Sequence, residues 1–460
     1  MGIFNAAAQY REYRSGVKHC TFNPAGPGVV RIHLIPPKFR LFGGNSYLAV
    51  LNGYYLLPVG YSWAVLLSAF MDEVNKFDGK PITDSDYENI KSTAVKRASA
   101  VYPSVPKADL KRDLEDMTDI MFHIARGGNT DAYIERMSVR AYSGEMTAPH
   151  RMDLMVSAMT DSDGCWQCNQ KCVFCYAAGQ PLSKMSELTA EQWKNALDKL
   201  KKAGVPMVTF TGGEPTLRAD LSEMVDYARW FVTRLNTNGA ALTPELCEKL
   251  RDASLDSVQI TLYSHDEKIH NELTGSEHFC DTVRGIKNAV ACGLDVSVNT
   301  PLCRLNSDYV KTLEFINSLG VRYVTVSGLI CTGTAEINHE KYDLDQDGLF
   351  ESVKAAKAFC DEHAMEIDFT SPGLIDGEKL EALGMNVPSC GAALSNMAIA
   401  PDGSVIPCQS WLKSGSALGN ILTDDFKKIW QNEKCVSLRK MSDKEALCCP
   451  FRKGSEANGR

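Results

Sequence analysis

From Asp153 to about Phe369, strand-like and helix-like segments alternate, and this rhythm limits the architecture of the chain more than any other feature. Strand candidates are Leu154 to Met159, Pro206 to Thr211, Val232 to Asn236, Ser257 to Leu262, Asp295 to Asn299, Tyr323 to Val326 and Glu366 to Phe369. Amphipathic helices lie between them, such as Thr189 to Lys202, Pro244 to Asp252, Asp281 to Ala291 and Asp308 to Ser318. Gly204, Gly293 and Gly320 stand where such helices would end. Strands that alternate with helices build a parallel sheet, and six or seven such units make a full or partial β/α barrel. The expected fold class is therefore α/β, a partial (β/α)6-type TIM barrel.

Functional groups of such a barrel gather on loops at the C-terminal ends of the strands. Four segments fall there: Gly164-Cys-Trp-Gln-Cys-Asn-Gln-Lys-Cys-Val-Phe-Cys-Tyr176, Thr211-Gly-Gly-Glu-Pro215, Asn236-Thr-Asn-Gly239 and Tyr263-Ser264-His265. The first holds Cys168, Cys172 and Cys175 in a C-x3-C-x2-C run. Three thiolates neither fill a tetrahedral zinc site nor complete an ordinary four-cysteine iron-sulfur cluster. One coordination position is left for a small molecule, which Tyr176 can cover. Zinc stays open, because Cys165-x2-Cys168 and Cys172-x2-Cys175 together have the spacing of a four-cysteine site. Gly212 and Gly213 allow close backbone approach, and Glu214 or the backbone around Pro215 can hold a ligand amino group. Asn236 to Gly239 and Thr261 can donate hydrogen bonds to a sugar or carboxylate, although turn and strand roles explain them equally well.

The 460-residue chain has a net charge of -8, and no stretch concentrates Lys and Arg, which argues against nucleic acid as a partner. Its 16 cysteines, without a secretory pattern at the start, read as metal-bound thiolates in a reducing, cytoplasmic setting. Leu41 to Met71 carries no charge, a length that can cross a bilayer. Asn52-Gly53 between Tyr47–Leu51 and Tyr54–Leu57 instead signals a hairpin, so no membrane span is expected. A strand at Val29 to Ile35, this hairpin and helices at Ser62 to Phe77, Asp84 to Ala100 and Lys107 to Ile124 suggest a winged-helix-like module over 1–125. A linker over 126–150 follows. Beyond the barrel, Pro401-Asp-Gly-Ser reads as a turn that brings Cys390 and Cys408 to the base of one hairpin, and Cys448-Cys449 comes near the end.

The cysteine run with its following tyrosine, the Gly-Gly-Glu-Pro turn and the βα pattern resemble the radical S-adenosylmethionine (radical SAM) enzymes. The resemblance implies that Cys168, Cys172 and Cys175 hold a [4Fe-4S] cluster whose fourth iron binds SAM. Gly212 to Glu214 would then lie against the SAM amino group, with Asn238 and Thr261 as candidate ribose or carboxylate contacts. Cys165 has no role in this pattern. The cysteines after the barrel resemble the SPASM or Twitch extension, which implies a radical SAM barrel over 151–370 and a small iron-sulfur domain over 371–460. One auxiliary cluster is expected there, held by Cys390, Cys408 and one or both of Cys448 and Cys449, with Cys435 as a possible fourth ligand.

Enzymes of this type most often modify ribosomally made peptides, and the N-terminal module resembles, more weakly, the PqqD-like domain that binds a leader peptide as an added strand. The expected function is a radical SAM peptide maturase that forms a crosslink such as a thioether, or epimerises a residue. Its partners would be a precursor peptide with a leader and an external flavodoxin- or ferredoxin-type reductant. Gln409 stands where the sulfatase-modifying relatives carry a basic Asp, which ranks that chemistry low. A radical SAM oxidoreductase of a small metabolite and a zinc-stabilised, non-catalytic peptide binder are the alternatives. Tyr263, His265 and Cys331 are rim residues without an assigned role.

Overall fold

The computed structural model describes residues 16–22, 29–37, 46–77, 80–125, 137–161, 163–184 and 186–444. The chain divides into two compact units, the first made of Met1–His150, Leu200–Met207 and Trp230–Val232, and the second of Arg151–Lys199, Val208–Arg229 and Thr233–Arg460.

In the first unit, strands β1 (Lys18–Phe22), β2 (Val30–Ile35), β3 (Tyr47–Leu51) and β4 (Tyr55–Val59) form an antiparallel sheet in the order β1-β2-β3-β4. The expected turn is present. Asn52 and Gly53 take φ of 50° and 71°, a left-handed pair that Asn-Gly tolerates. Asn52 Oδ1 also accepts the N–H of Arg31 at 2.7 Å. Strand β1 is an addition to the sequence reading, since Lys-His-Cys-Thr-Phe shows no clear polar and apolar alternation.

Three helices follow: Tyr61–Val74, Asp84–Val101 and Lys107–Ala125. The second begins at a capping box, in which Asp86 N–H donates to Thr83 Oγ1 and Thr83 N–H donates to Asp86 Oδ2. From Tyr47 on, burial in protein explains the uncharged stretch: all five residues of β3 and nine of the first helix are buried, and Tyr47, Ala49 and Leu51 share one core with eight of those helix residues and with Leu110, Leu114 and Met117. Among the described residues no helix is long and apolar enough to cross a membrane. Of the stretch read as a linker, 126–136 lie outside the described residues. The remainder holds a short helix, Val139–Tyr142, and His150 Nε2 meets the Gly53 carbonyl at 2.9 Å.

The second unit is built on one sheet, ten-stranded among the described residues. Seven strands follow the chain in sequence: β5 (Arg151–Ser157), β6 (Met207–Gly212), β7 (Val232–Thr237), β8 (Ser257–Thr261), β9 (Asp295–Pro301), β10 (Tyr323–Ser327) and β11 (Glu366–Phe369). The pairs from β7 to β11 are parallel. Each strand overlaps a sequence candidate, and the connecting helices include Ala190–Ala203, Pro244–Asp252, Phe279–Ala291 and Tyr309–Ser318. Thr243 accepts the Leu246 N–H ahead of Pro244, which explains why that helix starts where it does.

The barrel stays open. Instead of β11, the outer edge of β5 pairs in parallel with β12 (Asn396–Ile399), as Ala398 with Asp153. Strand β12 then turns through Pro401-Asp402-Gly403 into antiparallel β13 (Ser404–Ile406), followed by β14 (Gly419–Asn420). The fold is a partial β/α barrel whose sheet is prolonged by a C-terminal hairpin.

Candidate active site

The cysteine loop leaves the C-terminal end of β5 and is held on two sides. Lys171 N–H donates to the Thr274 carbonyl at 2.8 Å and Val173 N–H to the Leu273 carbonyl at 3.0 Å, along the end of the helix Glu267–Thr274. Opposite, Thr334 at the start of the helix Thr334–Tyr342 donates its N–H to the Cys175 carbonyl, and Asn338 Nδ2 donates to the Val173 carbonyl. The residue before that helix must be glycine: Gly333 has φ 64°, and a Cβ there would stand 2.3 Å from the Cys175 carbonyl oxygen. Phe174 packs edge-on to Tyr263 with ring centres 5.3 Å apart.

Cys168, Cys172 and Cys175 line one cavity of about 580 Å³ inside the second unit, together with Gly212, Gly213 and Glu214. Burial pushes the Cys168 thiol up to about 12, with the charges of Glu214 and Cys175 adding to it. Burial likewise raises Cys172, where the neighbouring thiols add and the Tyr263 hydroxyl opposes. Cys175 is raised by burial against the N–H groups of Ala177 and Ala178. Three thiols that resist ionisation alone but face a common space are suited to a cationic group that stabilises all three thiolates. They are not drawn around a point. A zinc ion would hold thiolates about 3.8 Å apart, given bonds of ~2.3 Å, and among the described residues no three His, Cys, Asp or Glu side chains are gathered for a single ion. A wider cluster fits this donor set. Cys165 is exposed, does not line the cavity and is anchored through its N–H to Asp161 Oδ1.

The Gly-Gly-Glu-Pro turn differs in detail from the expectation. A Cβ on Gly212 would lie 2.3 Å from the Ser157 carbonyl oxygen, and one on Gly213 would lie 2.6 Å from that of Ala158. Both glycines are therefore required by the close passage of β6 against the end of β5. Glu214 is 2% exposed, and both carboxylate oxygens are used within the protein. Oε1 accepts from Thr216 N–H, Thr216 Oγ1 and Thr237 Oγ1 at 3.0, 2.5 and 2.6 Å, and Oε2 accepts from Asn238 N–H at 2.8 Å. Burial raises its carboxyl above the ordinary range, opposed by these four donors. Its side chain braces the rim, which leaves the backbone of Gly212 and Gly213 as the surface offered to a ligand. Pro215 starts a short 3-10 turn and does not line the cavity.

Asn238 and Thr261 do line it, and Asn238 Nδ2 ties β7 to the cysteine loop by donating to Asn169 Oδ1 at 2.6 Å. Of the unassigned rim residues, Tyr263 faces the cavity, whereas His265 is held by Thr312 and Cys331 is not a lining residue. Tyr176 and Gln409 both line it, and the Tyr176 hydroxyl donates to Gln409 Oε1 at 3.3 Å. Asn236, one of the expected donors, faces inward on a polar wall below the rim whose other members, Arg151, Thr209, Arg234, Gln259 and Thr325, the sequence reading missed. The available signal was a polar residue at every second strand position, opposite apolar ones.

Cys390 and Cys408 flank the β12–β13 hairpin, and the Ala393 N–H to Pro407 carbonyl bond at 2.9 Å brings their two segments together. Cys435 is fully buried in the helix Glu433–Lys444, where Arg439 Nη2 donates to its sulfur at 3.4 Å. It does not form a three-ligand group with Cys390 and Cys408. Cys448 and Cys449 lie outside the described residues.

Residues 167–328 match the family model of the radical SAM superfamily, and residues 390–450 match that of an iron-sulfur cluster-binding domain, SPASM. Among curated proteins, the AdoMet-dependent heme synthase of Methanosarcina barkeri is 28% identical over 295 residues, covering 61% of this chain and 83% of that protein. The mycofactocin maturase MftC of Mycolicibacterium smegmatis is 27% identical over 288 residues, 58% of this chain and 69% of that protein. Among solved structures, Streptococcus suis SuiB bound to its precursor peptide SuiA has a TM-score of 0.60 at 13% identity, covering 88% of this chain and 93% of SuiB. At that identity the likeness is one of fold.

Proposed function

This chain is a radical SAM protein with a C-terminal SPASM domain, and on that premise we propose that it is a maturase of a ribosomally made precursor peptide. Its cofactors are a [4Fe-4S] cluster, SAM and auxiliary iron-sulfur. When bound, the cluster with SAM would supply radical hydrogen-abstraction chemistry. In our reading Cys168, Cys172 and Cys175 hold the cluster, and the backbone of Gly212 and Gly213 faces the SAM amino group. Asn238 and Thr261 orient the remainder of the molecule. Phe174 and Tyr263 close the space around Cys172 and keep water from the reacting atoms. Cys390 and Cys408 belong to one auxiliary cluster, and Cys448 or Cys449 joins them.

The observation that carries the peptide reading is the four-stranded antiparallel sheet with three helices ahead of the barrel. Among the described residues its edge strands are β1 and β4, with β4 already giving its Leu56 carbonyl to the Met137 N–H at 2.9 Å, and an extended leader can pair along such an edge by main-chain hydrogen bonds. The fold shared with SuiB, crystallised with a precursor peptide, extends over 88% of the chain and supports this reading. So does the kinship with a mycofactocin maturase. Gln409 holds no proton to exchange at neutral pH, which favours a crosslink or an epimerisation over base-assisted oxidation. A flavodoxin- or ferredoxin-type protein supplies the electron. Kinship with heme synthases favours a second reading, a small-metabolite substrate.

The test compares a leader-bearing precursor with its leaderless core, each incubated anaerobically with the reconstituted full chain, SAM and reductant, and read by mass spectrometry and chiral amino-acid analysis. Modification of the leader-bearing peptide alone is expected. Equal turnover of both, or of neither while a small metabolite is consumed, refutes the maturase.

A further inference from the structure

Closed β/α barrels fill their interior with bulky branched side chains. Here the inward positions of β6 to β10 carry Thr209, Asn236, Gln259, Asn299 and Thr325, all on the cavity wall. Part of this wall is internally satisfied. Gln259 Nε2 donates to Thr325 Oγ1 at 2.9 Å, and Thr325 Oγ1 donates to Asn299 Oδ1 at 2.8 Å. Arg151 has a counter-charge, its Nε lying 2.9 Å from Asp153 Oδ1 as an ion pair without hydrogen-bond geometry.

Arg234 is the exception. It lies two residues below Asn236 on β7, on the same face of the strand. Its Nη2 donates to Ser297 Oγ at 3.2 Å, its Nε is buried without a partner, and among the described residues it forms no ion pair. Ser297 is neutral, so a guanidinium with five N–H donors is left with one hydrogen bond from the protein and no carboxylate at ion-pair distance among the described residues. Asp153 and Asp295 are near enough to favour its charge, but burial and the neighbouring Arg151 outweigh them and pull its pKa below the usual value. Beside it, Thr209 Oγ1 is buried without a partner, as is Asn236 Oδ1, whose amide is free to turn either way. A half-buried guanidinium with its Nε shut off from water, beside unused hydrogen-bonding groups, gains most from an anion that completes the set.

We propose that Arg234, with Thr209 and Asn236, is a carboxylate-binding subsite for the substrate. The peptide would present an acidic side chain or its own C-terminal carboxylate to the barrel floor while its reacting carbon stays towards the rim. This rests on the reading that the cavity below the cysteine loop takes a peptide. The drop from Asn238 to Arg234 is about 13 Å along the strand, which sets the order of the separation between the two ends of the bound segment. Arg suits the role because its planar fork binds carboxylate through two parallel hydrogen bonds.

Three probes test it by calorimetry on the reconstituted, SAM-loaded full chain: acetyl-Glu-amide, acetyl-Gln with a free acid, and the neutral acetyl-Gln-amide. At least one acid is expected to bind more tightly than the neutral control, and which one tells side chain from chain end. Arg234→Gln should weaken that acid by about tenfold or more, and Arg234→Lys should recover part of the loss. The subsite is overturned if neither acid outdoes the neutral probe, or if Arg234→Lys and Arg234→Gln bind like the parent. Substrate-free 5′-deoxyadenosine formation, measured in the same samples, is expected in the parent and both variants. Its presence beside failed carboxylate binding refutes the subsite alone, and its absence from the parent refutes the underlying function.

Discussion

Replacing Glu214 by Gln separates a brace from a ligand. The substitution keeps the volume but exchanges one acceptor oxygen for a donor. Because Oε1 accepts three hydrogen bonds and Oε2 one, the new NH2 is best placed at the Oε2 position, against the N–H of Asn238. That removes one charge-assisted hydrogen bond, about 1.5–3 kcal/mol, and leaves a buried N–H facing another donor, about 1–3 kcal/mol more. Relief of the buried charge offsets part of this. A net loss of roughly 2–3 kcal/mol is expected, which lowers the melting midpoint by about 3–5 °C, at ~1.6 °C per kcal/mol for a unit of about 300 residues. Scanning calorimetry of the anaerobically reconstituted protein measures the midpoint, and equilibrium dialysis measures SAM binding. Both should fall, because Asn238 and the cysteine loop move together through the Asn238–Asn169 bond. An unchanged midpoint with lost SAM affinity would mean that the carboxylate contacts SAM directly, and the bracing argument would be wrong.

Reconstitution with iron and sulfide should give ~8 iron atoms per chain from two cuboidal clusters. Replacing Cys168, Cys172 and Cys175 together by Ala should leave ~4 and abolish 5′-deoxyadenosine formation; continued formation refutes the ligand assignment. Gly333→Ala places a methyl group 2.3 Å from the Cys175 carbonyl oxygen at φ 64°. It should cost about 2 kcal/mol or more and reduce retained iron, as read by denaturant titration and iron analysis. His33, buried with Nε2 on the Trp230 carbonyl at 2.8 Å, is held by burial down to about 3, from an ordinary 6.5. A depressed base loses stability as pH falls from its unfolded value towards its folded one, so between pH 6.5 and 5 the protein should lose about 2 kcal/mol. His33→Gln should flatten that part of the profile, and an unchanged slope assigns the loss to other groups.

The sequence disclosed most of what local periodicity encodes. Glu366–Phe369 and Pro244–Asp252 have the same bounds in sequence and structure because runs of alternating apolar residues, Pro at a helix start and a Thr cap act within a few positions. The cysteine loop followed from its place after the first barrel strand. What stayed hidden depends on partners distant in the chain. Glu214 looked like a ligand because its acceptors are filled partly by Thr237 and Asn238 of the next strand. Pro215 shares its motif but does not line the cavity. Arg234 sat in a segment read only as a strand, and its lack of an ion-pair partner is visible only once Ser297 is beside it.

The pairing of β12 with β5 has a consequence for how the protein is made. Ala398 meets Asp153 across more than half the chain, so the main-chain donors and acceptors along that edge of β5 wait for most of the polypeptide to leave the ribosome. Until then the strand that leads into the cysteine loop is an open template for pairing with another nascent chain. Translation arrest or truncation before residue 396 should therefore yield aggregation-prone species, in which iron delivery would precede a completed barrel. Cluster insertion is therefore expected to follow the pairing of the β12–β13 hairpin with β5.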